Sequence, residues 1–318
     1  MRSATAFAPA TVANVAVGFD ILGFAIESVG DEITVSLTDD QTVRITQVRD
    51  LTGVSAALEV PLEAKRNAAT VGLIKFREDL QLDFGFQVEL RKGIPLGSGM
   101  GGSAASTVGA LVAANSLLET PLARESLMPY ALLGEEVASA AIHADNLAPC
   151  LLGGLTLVLS TDPFRFVSLP VPAELLAVVV HPHIRLDTRH ARRILQPNIS
   201  LADHVRQSAS LGGFIAGCFR DDVEMIRHSL ADFLIEPQRA SLIPGFAEVK
   251  AAALAQGALG VSISGSGPSV FALVNTPDAA ARVRDAMVES FRVHGSSDAD
   301  SWTSPVNQQG ARIIDEVS

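Results

Sequence analysis

Residues 92–106 read K-G-I-P-L-G-S-G-M-G-G-S-A-A-S, in which four of the five glycines (Gly97, Gly99, Gly101, Gly102) cluster between a strand-like run and a helix-like run. Backbone without Cβ atoms can approach a ligand closely, and a helix starting there turns its free N–H groups and the positive end of its dipole toward it. The chemistry such a loop suits is the cradling of phosphate. Gly97, Gly99 and Gly102 formally satisfy GxGxxG, but that dinucleotide fingerprint wants a second strand ending in an acid about 20 residues on. Here Glu119-Thr120-Pro121 follows, a helix stop. No GxxxxGK[ST] string occurs in the chain, which excludes a Walker loop. Taken alone, the loop could also be a flexible connector.

Side chains able to hold or move charge recur elsewhere. Asn14 and Asp20 interrupt the apolar segment 4–26, where an unbonded polar group is costly, so each is either a cap or part of a site. Glu135 and Glu136 stand in a helix-like stretch dominated by Ala, Val and Leu; neighbours on a helix point about 100° apart, so the two carboxylates face differently. His143, Asp145 and Asn146 follow closely. Arg192 ends the string D-T-R-H-A-R (187–192) and Arg239 the string E-P-Q-R (236–239). A guanidinium's planar fork donates two parallel hydrogen bonds to a carboxylate, although surface charge explains an isolated arginine equally well.

The elements that must position these groups follow from periodicity. Phe86, Val88 and Leu90 alternate with Gln87, Glu89 and Arg91, predicting a half-buried strand that feeds the glycine loop. Residues 103–118, rich in Ala and free of Pro, predict a helix of about four turns with Ser103 at its N-cap or in its first turn. Residues 67–80 predict an amphipathic helix that Asn67 could cap, residues 33–46 a hairpin turning at 38–41, and residues 122–143 a helical region restarting at Pro129. The second half reads as strands at 155–160, 166–169 and 175–181, then helices at 188–195, 200–220, 223–231 and 244–256. A strand pair turns at 264–268, and a helix at 278–294, a polar stretch and a last strand at 311–314 complete the chain. The pattern predicts the α+β class and two domains, 1–154 and 155–318, divided near Gly153-Gly154.

Composition narrows the partners. A chain of 318 residues with 48% hydrophobic and 19% charged residues buries a sizeable core. Its net charge of -11 argues against nucleic acid or an anionic membrane, both of which need a basic surface. An anionic ligand must then be held locally, by backbone N–H groups, a helix N-terminus and a metal ion. Cys150 and Cys218 lack metal-ligand spacing and read as buried free thiols of a reducing compartment. With no basic and apolar leader at its start and no apolar run long enough for a bilayer, the expectation is a soluble cytoplasmic protein.

The glycine loop resembles the phosphate motif P-x-G-x-G-L-G-S-S-A of the GHMP small-molecule kinases. Pro95, Gly97, Gly99, Gly101, Ser103 and Ala104 match; Met100 replaces Leu, and Gly102 replaces the first of the paired serines. Residues 8–23 are similar to the opening A-P-A-T-S-A-N-L-G-P-G-F-D-x-L-G of homoserine kinases, with departures at Val12, Val15, Ala16 and Val17. The string from His143 through Pro149 to Gly153-Gly154 is similar to their H-x-D-N-x-A-P-x-x-x-G-G. The resemblance implies the two-domain GHMP fold, with a ferredoxin-like α/β sandwich as the second domain. It implies ATP and Mg2+ as cofactors, and L-homoserine as the phosphoryl acceptor in threonine biosynthesis, with a homodimer common in the family. Pro95, Leu96, Gly97, Ser98, Gly99, Met100, Gly101, Gly102 and Ser103 would hold the nucleotide's phosphates. Lys92 would add a positive charge, Asn67 would lie near the adenine and Gly265 would close the third glycine motif over the cleft. Ser103 and Glu135 would hold the metal. Asn14, Asp20, His143, Asn146, Thr188, Arg192 and Arg239 would clamp the amino acid. Asp145 aligns with the aspartate read as base in mevalonate kinases, whereas homoserine kinases are read as having no dedicated base; both readings stand at this point. A GHMP kinase for another small alcohol, and a kinase-like binding protein without turnover, are the alternatives.

Overall fold

The structure is a computed structural model that describes residues 2–53, 60–139, 143–295 and 297–317. Its first sheet is built on β1 (Ser3–Ala13) and the long β2 (Leu22–Thr38), which run antiparallel with Ser3 opposite Ser36. β3 (Val43–Asp50) does not pair with β2 as the expected hairpin. Instead α1 (Ala68–Asp79) intervenes and β4 (Gly85–Lys92) inserts between them, antiparallel to β2 and parallel to β3. The alternation in 33–46 identified the strands but could not identify their neighbours, because a third strand of the same period arrives later in the chain.

α2 (Gly102–Ser116) fills the centre of this half. Residues 104–115 are all buried, as expected of a helix apolar on every side. Its small residues permit close approach: a Cβ on Gly109 would lie 2.3 Å from the Ile33 side chain. A short 3₁₀ turn (Arg124–Leu127) leads into α3 (Met128–Ser139), with Pro129 in the first turn, and α4 (Leu147–Leu152) follows.

The sequence division at residue 154 cuts through this sheet. β5 (Leu155–Thr161) pairs with β2, β6 (Phe164–Leu169) pairs with β5, and the last strand of the chain, Arg312–Val317, returns to pair with β1. The second sheet starts at β7 (Leu176–Pro182). α5 (Thr188–Arg193), α6 (Leu201–Arg220), α7 (Val223–Ser229), α8 (Glu236–Arg239) and α9 (Phe246–Ala255) separate it from the hairpin β8 (Gly260–Ile263) and β9 (Val270–Val274). α10 (Pro277–His294) then leads to β10 (Ala299–Pro305), and the returning strand is β11. The order β10-β7-β9-β8, antiparallel throughout, is that of a ferredoxin-like sandwich. β10 was expected as a polar stretch. It is an edge strand whose Asp300, Ser301 and Thr303 need no burial, so its sequence carries no apolar alternation.

Candidate functional site

The cleft lies where the two sheets' loops meet, and opens to solvent. Its lining is Asn14, Asp20, Glu135, His143, Asp145, Asn146, Thr188, Arg192, Arg239, Gly265 and Ser266. The structure thus brings together all seven residues expected around the amino acid, with Glu135, Asp145 and Gly265 beside them.

The first wall is the turn between β1 and β2. Asn14, Val15, Ala16 and Asp20 all have positive φ, a conformation costly for non-glycine residues and one that persists where the surroundings enforce it. The enforcement is visible. Asn14 Nδ2 donates to the Gly265 carbonyl at 2.8 Å while its Oδ1 accepts from the Asp20 amide at 3.0 Å. Gln207 of α6 donates to the Val17 carbonyl at 3.1 Å.

The opposite wall is cationic. Arg192 Nη2 meets both carboxylate oxygens of Asp20, at 2.7 and 2.9 Å. Arg239, buried to 3% exposure, donates from Nε to the Ala191 carbonyl and from Nη1 to the Gly265 carbonyl, at 3.1 and 3.0 Å. Burial, and next the charge of Arg192, lower its pKa to about 10. Both guanidinium carbons lie over the ring of Phe19, 5.2 and 5.3 Å from its centre. Phe19 was not singled out in the sequence, where it reads as one more apolar residue. Thr188, the first residue of α5, does not cap it. Asp187 does so, its carboxylate accepting from the His190 amide at 2.9 Å, and the Thr188 hydroxyl lies 3.2 Å from that of Ser266.

Between the walls stand His143, Asp145 and Asn146. His143 Nδ1 is 3.5 Å from Asp20; burial lowers its pKa, with Asp20 opposing and the two arginines reinforcing. Asp145 is buried, and desolvation, then the charges of Asp20 and Glu135, push its carboxyl from 3.8 up to about 8. Asn146 Oδ1 accepts from the Thr11 hydroxyl at 2.7 Å, tying this segment to β1.

The glycine loop abuts this cleft. Gly97, Gly99 and Gly101 have φ between 68° and 76°, the left-handed region that glycine adopts without strain. Gly99 also has no room for a side chain: a Cβ would lie 2.5 Å from the Ser264 carbonyl. The loop is held to the second domain by Ser264 Oγ donating to the Gly99 carbonyl (2.8 Å) and the Ser269 amide donating to that of Ser98 (3.1 Å). Gly101 is the residue before α2, and Ser103 lies in the first turn. Glu135 and Glu136 diverge as expected, Glu135 into the cleft and Glu136 to solvent. Ser103 itself is outside the cleft lining, but α3 packs against α2 so that Gly134 meets Thr107, one turn beyond Ser103. Oxygen donors of this kind, few in number, suit a divalent cation completed by phosphates and water. Among the described residues no cluster of three or more His, Cys, Asp or Glu forms a self-sufficient metal cage.

Two residues expected at the nucleotide have their polar atoms engaged within the protein. Lys92 faces inward from β4, where it pairs with Asp31 and donates to the Gly102 carbonyl at 2.7 Å and the Ser106 hydroxyl at 2.8 Å. An ammonium has three donors, and all three are engaged, so none points to a phosphate. Asn67 caps α1: Oδ1 accepts from the Ala69 amide at 2.9 Å and Nδ2 donates to the Pro61 carbonyl at 2.6 Å.

Comparison with known proteins places this architecture. The family model "GHMP kinases N terminal domain" matches residues 66–154, and "GHMP kinases C terminal" matches residues 214–293. The fold and site define a GHMP kinase. The chain is 49% identical over 314 residues to the homoserine kinase of Xanthomonas campestris pv. campestris, covering 99% of this chain and 95% of that protein. It is 46% identical over 321 residues to that of Chloroherpeton thalassium, covering 99% and 100%. The crystal structure of homoserine kinase from Cytophaga hutchinsonii superposes with a TM-score of 0.93 at 45% identity, over 98% of this chain and 97% of that one. The chain belongs to the homoserine kinase family.

Proposed function

We propose that this protein transfers the γ-phosphoryl group of ATP to the side-chain hydroxyl of L-homoserine, giving O-phospho-L-homoserine for threonine biosynthesis. The observation that carries the reading is the convergence of Asn14, Asp20, His143, Asn146, Arg192 and Arg239, drawn from both domains, on one cleft beside the glycine loop. A zwitterion fits such a lining, with Asp20 and the amides for its ammonium and the two arginines for its carboxylate. The amides of residues 97–102 receive phosphate oxygens at the α2 N-terminus. Ser103 and Glu135 would hold Mg2+, which supplies charge neutralisation when bound.

Phosphoryl transfer demands position and charge neutralisation more than covalent help. Asp145, whose carboxyl is pushed up to about 8 by burial and by the charges of Asp20 and Glu135, is not assigned as the base. The homoserine hydroxyl proton passes to a phosphate oxygen. A coupled assay of ADP release with homoserine, mevalonate, galactose and shikimate in parallel tests the assignment. Turnover confined to homoserine is expected; preference for one of the others would overturn it.

A further inference from the structure

Asp31 on β2 and Lys92 on β4 are opposite charges turned into the core. The ladder pairs Glu32 with Arg91, and one step along it Asp31 faces Lys92. Glu32 and Arg91 form an ion pair of 2.7 Å at the surface, half exposed, whereas the side chains of Asp31 and Lys92 are 1% and 3% exposed. The buried pair binds the backbone on both sides of the glycine loop. Asp31 Oδ1 accepts from the amides of Gly93 and Ile94 at 3.0 and 3.1 Å, at the loop's entry. Lys92 donates to the carbonyl of Gly102 and to Ser106, at its exit into α2. The Ser106 hydroxyl closes the network, 3.3 Å from Asp31 Oδ2.

We propose that Asp31 and Lys92 are the positioning residues of the phosphate loop, a buried clamp that fixes the spacing of its two ends and hence the aim of its amides at the polyphosphate. The proposal rests on the reading of residues 97–102 as the phosphate cradle. Strand pairing by itself does not call for these residues, since a buried ion pair is commonly replaced by apolar side chains at little or no cost in stability, while removing one partner leaves an unpaired charge in the core. What an apolar pair lacks is donors and acceptors for Gly93, Ile94 and Gly102. The clamp also keeps the lysine from neutralising the nucleotide directly, leaving that to the backbone, the helix terminus and the metal.

The experiment is the double variant Asp31→Leu/Lys92→Met, with three readouts: thermal melting, calorimetric affinity for a non-hydrolysable ATP analogue with Mg2+, and KM for each substrate. The expected result is melting near that of the parent, analogue affinity and KM for ATP weakened about tenfold or more, and KM for homoserine within about twofold. Parental nucleotide affinity in the folded double variant, or an equal rise in both KM values, would overturn the clamp. If the double variant does not fold, Ser106→Ala serves, since alanine suits a helix interior. There about a threefold weakening of analogue binding at unchanged melting is expected, and unchanged binding counts against the proposal. Gly99→Ala separates this question from the loop assignment itself. Should Gly99→Ala bind nucleotide normally, the phosphate-cradle reading fails; should it lose binding while the clamp variants keep it, the clamp alone fails.

Discussion

The two ends of the cleft are built from different materials. At the glycine loop, the groups proposed to receive phosphate are main-chain amides, and the nearby lysine is neutralised in the core by Asp31. At the other end, charged side chains stand in the cleft itself: Asp20 and Arg192 are paired across it, with Arg239 behind. Backbone amides carry no net charge and need no counterion when the site is empty. Side-chain charges do, and Asp20 and Arg192 each serve as the other's counterion. On the proposed function, a zwitterionic substrate would exchange partners, its ammonium replacing the guanidinium at Asp20 and its carboxylate replacing the carboxylate at Arg192. Such an exchange would select for a ligand bearing both charges, because one bearing a single charge leaves one member of the pair unmatched.

The contrast breaks most visibly at Glu135, the cleft carboxylate assigned to the metal. Glu135→Gln should lower kcat by about a hundredfold or more, the scale of a lost electrostatic stabiliser, with melting unchanged because the side chain is only half buried. Near-parental turnover at limiting Mg2+ would remove Glu135 from the metal site. Next in size are the arginines. Arg192→Leu or Arg239→Leu should cost on the order of 1.5–3 kcal/mol, seen as a raised KM for homoserine with little change for ATP. The two should differ in melting: Arg239 is buried and also holds the carbonyls of Ala191 and Gly265, so its loss lowers stability more than that of the partly exposed Arg192. A defect specific to ATP would assign either arginine to the other end of the cleft.

Asp145 sharpens the comparison, being a carboxyl held neutral between the two ends. Asp145→Asn should keep kcat within about tenfold of the parent, well short of the 10²- to 10⁴-fold typical of a lost general base. A thousandfold loss with both substrates still bound would make it the base. Its effect on stability has a definite sign. A carboxyl raised from 3.8 to about 8 on folding contributes stability that is fully present below pH 4 and is lost as pH rises through 8. Melting of the parent should therefore fall relative to Asp145→Asn across that window, and parallel curves would show that the burial does not matter.

Motifs that are contiguous in the chain were legible in it: the glycine loop, the helix after it and the strings around Asn146, Arg192 and Arg239 each declare themselves within a dozen residues. What depends on which strands become neighbours was not. The inward face of β4 runs Phe86, Val88, Leu90, and its parity continues to Lys92; that of β2 runs Asp31, Ile33, Val35. Period two alone would have turned both charges into the core, but the pairing of β2 with β4 rather than β3 was needed to bring them together. The full membership of the first sheet was hidden for the same reason, since β5, β6 and β11 join a sheet begun more than a hundred residues earlier. Thr188 and Asp187 both have side chains fit to cap a helix, and one residue of register decided between them.

Phe19 is the residue that periodicity concealed, and its substitution should have the smallest effect. Its ring lies within about 6 Å of both guanidinium groups, and it contacts two cations that repel, since the charge of Arg192 contributes to lowering the pKa of Arg239. Phe19→Leu keeps an apolar side chain of similar reach and removes the π face. Losing the ring face should cost about 0.5–1 kcal/mol at this partly exposed site, so KM for homoserine should rise roughly two- to fivefold, with kcat and KM for ATP unchanged. Phe19→Tyr retains the ring face and should restore the parental value. A leucine variant with parental KM, or a tyrosine variant as impaired as the leucine one, would show that Phe19 fills space without orienting the arginines. The cationic wall would then be set by the Gly265 and Ala191 carbonyls and by Asp20 alone.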